Sequence, residues 1–259
     1  MHRASRCKLA KGTAFERNVF MERIVVSCMD RRLSGYLDSK YNDGKTLFMR
    51  NAGANVSDLE RSIREALMEY PEIESLHVAA HTDCGAMGVV YDALTNPAHY
   101  NGYDYDIKKV LLDRFAGMAI ARKDMLERIN KNIQELAVSY MLPGELRVTS
   151  ELIDLSALSI PESNGKHVLV ISEPSNARYA DMAKTVNAQI QSIYFIQGYE
   201  IKDIMPDIKI AVNVLHLNDV RLLSDGLGLS DDEISMLKGT IDLRSAQFSA
   251  VKMIRPDGN

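Results

Sequence analysis

Cysteine is scarce in this 259-residue chain: three residues, too few for a disulfide framework. A strong basic excess is also lacking. The formal net charge is −4, which excludes a general nucleic-acid binder. No run of about 18 apolar residues occurs, so no segment reads as membrane-spanning. The basic N-terminal stretch with His2, Arg3, Arg6, Lys8, Lys11 and Arg17 has no apolar core, so it reads as a solvated arm and not as a signal peptide. A cytoplasmic location is therefore expected. Neither a G-x-G-x-x-G nor a Walker A motif is present, which leaves nucleotide-dependent chemistry without support. The H-x-E and C-x-x-C pair of zinc deaminases is missing as well. With 46% hydrophobic and 25% charged residues, the composition is that of an ordinary globular protein, one large domain or a core with a substantial appendage.

Apolar runs and turn signals predict alternating strands and helices. Strands are expected at 23–28, at 46–49 leading into Arg50-Asn51-Ala52-Gly53, and at 75–81. A helix is expected from Ser57, with Ser57 and Glu60 as a capping box and Pro71 marking its end. Residues 92–106, with Tyr100, Tyr103 and Tyr105, read as an ordered loop, and 107–141 read as helical. Further strands are expected at 146–155, 167–172, 193–197 and 208–217, with helices around 176–192 and from Ser230, where Glu233 completes a second capping box. Such alternation predicts an α/β fold, a mainly parallel sheet flanked by helices.

Two of the three cysteines fall in motifs that carry chemistry. Cys28-Met29-Asp30-Arg31-Arg32 follows the apolar run Ile24-Val25-Val26, and His81-Thr82-Asp83-Cys84-Gly85 follows Leu76-His77-Val78-Ala79-Ala80. Both lie where a buried strand ends, the edge at which open α/β sheets build their sites. Two thiolates and an imidazole suit zinc and leave a fourth position open, the outline of a catalytic site. Such a centre carries no formal charge, so it acidifies water less than a tris-histidine site and gains from a nearby acceptor. Asp30 is placed to be that acceptor, and Arg32 to keep it ionised and aimed. The unit expected is a zinc-bound nucleophile, an orienting carboxylate and an arginine that holds it. Asp30 as a fourth ligand of a purely structural zinc is the alternative.

Cys28-x-Asp30-x-Arg32, Arg50-Asn51-Ala52-Gly53 and His81-x-x-Cys84-Gly85 together resemble the signature of β-class carbonic anhydrases, closest to the short bacterial branch with H-T-D-C-G. The resemblance covers about residues 20–156. It implies Cys28, His81 and Cys84 as zinc ligands, Asp30 and Arg32 as the activating pair, reversible hydration of CO2 to bicarbonate, and a homodimer or higher homo-oligomer. Gly53 and Gly85 are expected to let backbone approach the substrate pocket. Asp83 reads as a loop carboxylate near the ligands. Hydrolysis of carbon disulfide or carbonyl sulfide at the same site is an alternative activity, and a non-catalytic zinc-containing interaction protein is another.

Residues 1–156 thus form the zinc domain with its arm, and 157–259 form an α/β extension that the resemblance does not cover, either part of the same sheet or a degenerate repeat. Val168-Leu169-Val170-Ile171-Ser172-Glu173 echoes the first motif strand, and Val214-Leu215-His216 echoes the second. A repeat on that alignment puts Glu173 in place of the first cysteine and Asp219 in place of Cys84. The preferred expectation is a structural or oligomer-forming extension that donates no metal ligand.

Overall fold

A computed structural model describes residues 20–88, 96, 98, 146–163, 165–224, 231–242 and 247–252. The expected loop at 92–106, the helix at 107–141, the N-terminal arm and the Ser230 cap lie outside the described residues, except for isolated positions.

Among the described residues, eight strands form one sheet: β1 (Arg23–Cys28), β2 (Thr46–Asn51), β3 (Ser75–His81), β4 (Arg147–Ile153), β5 (Val168–Ser172), β6 (Ile193–Gln197), β7 (Asp219–Ser224) and β8 (Gln247–Lys252). Their spatial order is β4-β3-β1-β2-β6-β5-β7-β8. Every neighbouring pair is parallel except β2 and β6, which meet antiparallel at the middle of the sheet. β2 and β5 are buried along their whole length, as continuous apolar strands covered on both faces must be. Strand β4, at the edge of the sheet among the described residues, is partly exposed along its length, and only Ile153 is buried.

Helices α1 (Ser34–Tyr41), α2 (Glu60–Glu69), α3 (Tyr179–Thr185), α4 (Ile201–Asn213) and α5 (Asp231–Asp242) connect the strands. α1 buries Ser34, Leu37 and Tyr41, one face at helical spacing. Its Asp38 accepts hydrogen bonds from the Tyr179 and Ala180 amides, capping α3 from a distant part of the chain. On the outer side, Glu151 of β4 accepts hydrogen bonds from Tyr36, Lys40 and Tyr41 of α1, and Tyr41 also meets His77 of β3.

Several expectations need correction. The capping box at Ser57 does not form: Val56–Leu59 is a 3-10 turn, α2 begins at Glu60, and no side chain caps it. The helix expected around 176–192 ends at Thr185, and Asn187 adopts a positive φ of 50°. Most importantly, 208–217 is not a strand. Its first half closes α4, where Ile201, Ile204, Ile208 and Ala211 recur at helical spacing and are buried. The run Ile208-Lys209-Ile210-Ala211-Val212-Asn213-Val214 imitates strand alternation because α4 buries a wide face. Consequently His216 and Asp219 do not match His81 and Cys84. His216 precedes β7, and Asp219 is its first residue.

Candidate metal centre

β1 and β3 are parallel neighbours, so their C-terminal ends share one edge of the sheet. Cys28 ends β1, His81 ends β3, and Cys84 follows in the loop after β3. All three are buried, and their ligand atoms lie within 4.8 Å of one another. The two sulfurs are 3.9 Å apart. Two zinc–sulfur bonds of about 2.3 Å in a tetrahedron separate the sulfurs by about 3.8 Å, so the pair fits the metal.

His81 supplies the clearest indication. Its Nδ1 lies 2.8 Å from the Thr82 carbonyl oxygen. A carbonyl only accepts, so Nδ1 carries a proton, and in the neutral imidazole Nε2 is the nitrogen with a free lone pair. That Nε2 is fully buried and has no hydrogen-bond partner. A buried nitrogen acceptor without a donor is costly unless a cation completes it. The donor chemistry therefore fits zinc held by Cys28, His81 and Cys84.

At 3.9 Å the two sulfurs are within reach of a hydrogen bond in which either could donate. The Cys84 thiol against Cys28 holds Cys28 well below the usual thiol range, and the same contact pushes Cys84 up. Burial pushes His81 down, but the charge of Cys28 more than reverses this. Metal binding releases the thiol proton that remains, because both sulfurs must be thiolates.

Asp30 and Arg32 stand beside these groups as the sequence suggests. Arg32 donates from Nε to both carboxylate oxygens at 3.0 and 3.1 Å and from Nη2 to Oδ2 at 2.6 Å, and its amide donates at 2.9 Å. Burial pushes the Asp30 carboxyl up, but the hydrogen bonds from Arg32 more than reverse this and hold it below the ordinary value. Asp30 Oδ2 is 3.9 Å from His81 Nε2. Asp83 reaches Arg32 and not a ligand: its Oδ2 accepts from Nη1 at 3.1 Å, and its carbonyl accepts from Nη2 at 2.9 Å.

The glycines divide. Gly53 has φ +77°, a left-handed conformation that excludes most side chains, and its amide lies 3.4 Å from Cys28 Sγ. Its loop is closed by reciprocal hydrogen bonds between Asn51 and Asn55. Gly85 has open space where a Cβ would stand, so crowding does not require glycine there.

Two residues that hold the backbone of the site were given no role from the sequence, although Arg50 stands in the quoted Arg50-Asn51-Ala52-Gly53 motif. Arg50 is fully buried, with Nε on the Cys28 carbonyl, Nη2 on the Asp30 carbonyl and Nη1 on Ser34 Oγ, so it fixes the loop that carries the first ligand. An arginine inside an apolar strand was the available signal. Asp207, on the apolar face of α4, accepts from the Ala52 amide at 2.7 Å. A carboxylate set among isoleucines was the signal there.

Neither a family model nor a curated protein matches the sequence. Solved structures similar to this one include a carbonic anhydrase from Streptococcus mutans, 23% identical with a TM-score of 0.39, covering 56% of this chain and 84% of that one. A β-carbonic anhydrase isoform from Trichomonas vaginalis is 15% identical with a TM-score of 0.40 over the same shares, 56% and 84%. The apo form of a carbon disulfide hydrolase is 18% identical with a TM-score of 0.32, covering 52% and 75%. At these identities and TM-scores, the functional reading rests on the geometry of Cys28, Asp30, Arg32, His81 and Cys84.

Proposed function

We propose that this protein catalyses the zinc-dependent reversible hydration of CO2 to bicarbonate and a proton. The observation that carries the proposal is Asp30, clamped by Arg32 and set 3.9 Å from the unpartnered Nε2 of a buried Cys-His-Cys group. Zinc held by that group supplies the Lewis acidity that lets water attack a carbon electrophile near neutral pH. Asp30 stays ionised against burial, accepts the proton or hydrogen bond of the attacking water and fixes its direction. Arg32 holds both carboxylate oxygens, and Asp83 holds Arg32. A zinc that only braced the loops would need neither the clamp nor a carboxylate at this distance.

Cysteines that must stay reduced until metal binds are best kept so in a reducing compartment, which favours a cytoplasmic location. Among the described residues no helix is long and apolar enough to cross a membrane. Assembly of copies into a homo-oligomer would use a face other than the β2 edge, because β6 of the same chain occupies it.

Stopped-flow CO2 hydration by protein of known zinc content tests the proposal. The expected result is zinc-dependent hydration at about one zinc per chain. Hydrolysis of carbon disulfide or carbonyl sulfide without CO2 hydration would replace the substrate, and no turnover of any of the three by zinc-loaded protein would overturn the enzyme reading.

A further inference from the structure

The sheet reads the same from both ends. From the centre outward, one half runs second, first, third, fourth strand as β2-β1-β3-β4, and the other runs second, first, third, fourth as β6-β5-β7-β8. All pairs within each half are parallel, and the halves meet antiparallel, as a two-fold axis through the seam demands.

The register agrees residue by residue. Ser27 pairs with Arg50 on one side and Ala79 on the other, and Ser172 pairs with Gln197 and Leu223. On that match Arg50 corresponds to Gln197, and these two residues form the antiparallel pair of the seam. Matched residues facing each other lie on the axis. Two residues beyond each, the same contact recurs: the Ala52 amide donates to Asp207 of α4 at 2.7 Å, and the Tyr199 amide donates to Ser62 of α2 at 3.0 Å.

The second half has no counterpart of the Cys28, His81 and Cys84 group among the described residues. Glu173 stands where Cys28 does. At the ends of β5, β6 and β7 there is instead a cavity of about 10 Å³ lined largely by Ile171, Gly198, Ile201, Ile204 and Leu222.

What that half retains is its grip on the first site. The Phe195 amide donates to the Met29 carbonyl at 3.2 Å, and Arg31 Nη1 donates to the Gln191 carbonyl at 2.8 Å. The Tyr179 and Phe195 rings lie 4.8 and 5.4 Å from the Arg50 guanidinium. Fully buried Asp207 holds the Ala52 amide, and the following amide, that of Gly53, points at Cys28 Sγ. We infer that the C-terminal half is a metal-free counterpart of the N-terminal unit and acts as its built-in partner, with Asp207 a positioning residue that reaches across the internal axis to set the Gly53 amide against the Cys28 sulfur. This rests on the metal-binding reading of Cys28, His81 and Cys84, not on the reaction.

The test uses the full-length protein loaded with cobalt(II), with Asp207→Ser, Asp207→Asn and, as the mirror control, Ser62→Ala. An amide donated to a thiolate withdraws electron density from sulfur, so loosening it should move the sulfur-to-cobalt charge-transfer band to longer wavelength. Chelator competition should show zinc and cobalt affinity falling roughly tenfold in Asp207→Ser, the low end for lost outer partners of a metal site. Asp207→Asn keeps an acceptor oxygen without the charge and should fall roughly threefold, the difference between a charged and a neutral hydrogen bond. Ser62→Ala should leave band and affinity at wild-type values. Wild-type band and affinity in both Asp207 variants would overturn the inference, as would an equal change in Ser62→Ala. If Asp207→Ser does not fold, Asp207→Asn decides. Failure of the wild-type protein to bind cobalt would remove the metal reading itself, a distinct outcome.

Discussion

Replacing Asp30 by Asn should separate zinc binding from zinc chemistry. The carboxylate takes three side-chain contacts from Arg32, at 2.6, 3.0 and 3.1 Å, and the Arg32 amide at 2.9 Å. An asparagine offers one oxygen in place of two, and its NH2 would face a guanidinium that has only donors. At least one charge-assisted hydrogen bond is lost, about 1.5–3 kcal/mol. Only the part of that loss expressed in the transition state slows the reaction, which at about 1.4 kcal/mol per factor of ten sets a ceiling of roughly 10- to 100-fold. Loss of the proton acceptor adds to it, so a fall of roughly 10²-fold or more is expected. Arg32 stays in place because Asp83 holds two of its nitrogens. The loss can therefore be assigned to the carboxylate. Zinc should remain, since Cys28, His81 and Cys84 are untouched. The assay is stopped-flow CO2 hydration alongside metal determination, with Arg32→Ala and the double variant. The pair acts as one unit, so the double variant should be little worse than the worse single. An Asp30→Asn protein with full zinc and a near-wild-type rate would refute the reasoning.

Three further outcomes are expected. Cys84→Ser should lose most of its metal, measured as zinc per chain after dialysis, and retention of one zinc would remove Cys84 from the ligand set. At Gly198 a Cβ would stand 2.6 Å from Ile204 Cγ2 and 3.2 Å from Ser62 Oγ, so Gly198→Ala should destabilise by about 1–3 kcal/mol, read as a lower Tm; an unchanged Tm would mean that α4 yields easily. Burial pushes the Glu151 carboxyl up, but hydrogen bonds from Lys40 and Tyr41 more than reverse this and leave it below the usual value. A folded pKa below the unfolded one stabilises above the unfolded value, about 4.3, and that contribution is lost as pH falls through the folded value. The Tm gap between wild type and Glu151→Gln should therefore be full at pH 7 and shrink below about pH 4, and a gap that widens in acid would contradict the assignment.

The grouping of Cys28, His81 and Cys84 was readable because they sit at the ends of two apolar strands, and β1 and β3 became parallel neighbours as such strands do. Asp30 and Arg32 were readable because they lie within four residues of Cys28. The seam was not. Pairing of β2 with β6 joins residues about 150 positions apart, and neither strand carries a local mark of its partner. Strands β7 and β8 escaped notice for a related reason: Asp219-Val220-Arg221-Leu222 is short and interrupted by charge, and the sheet specifies it more than its own pattern does. The alternation of 208–214 pointed to a strand, whereas burial on a wide helical face wrote the same letters. The echo of Ile24–Cys28 in Val168–Glu173 was legible as a possible repeat, but the match of the third strand was not, because 214–216 follows a helix and β7 shares register with β3 and not its side chains.

The hydrogen bond from Ala52 to Asp207 spans 155 residues of sequence, and that from Arg31 to Gln191 spans 160. During synthesis at about 5–20 residues per second, the loop that carries Cys28 emerges roughly 8–30 s before the helix that braces it. Arg50 waits as long for the two rings that cover it. The order of translation therefore puts ligands first and their support last. The nascent chain passes through a stage in which Cys28, His81 and Cys84 have left the ribosome while the backbone around them still lacks Asp207 and the Gln191 carbonyl to hold it.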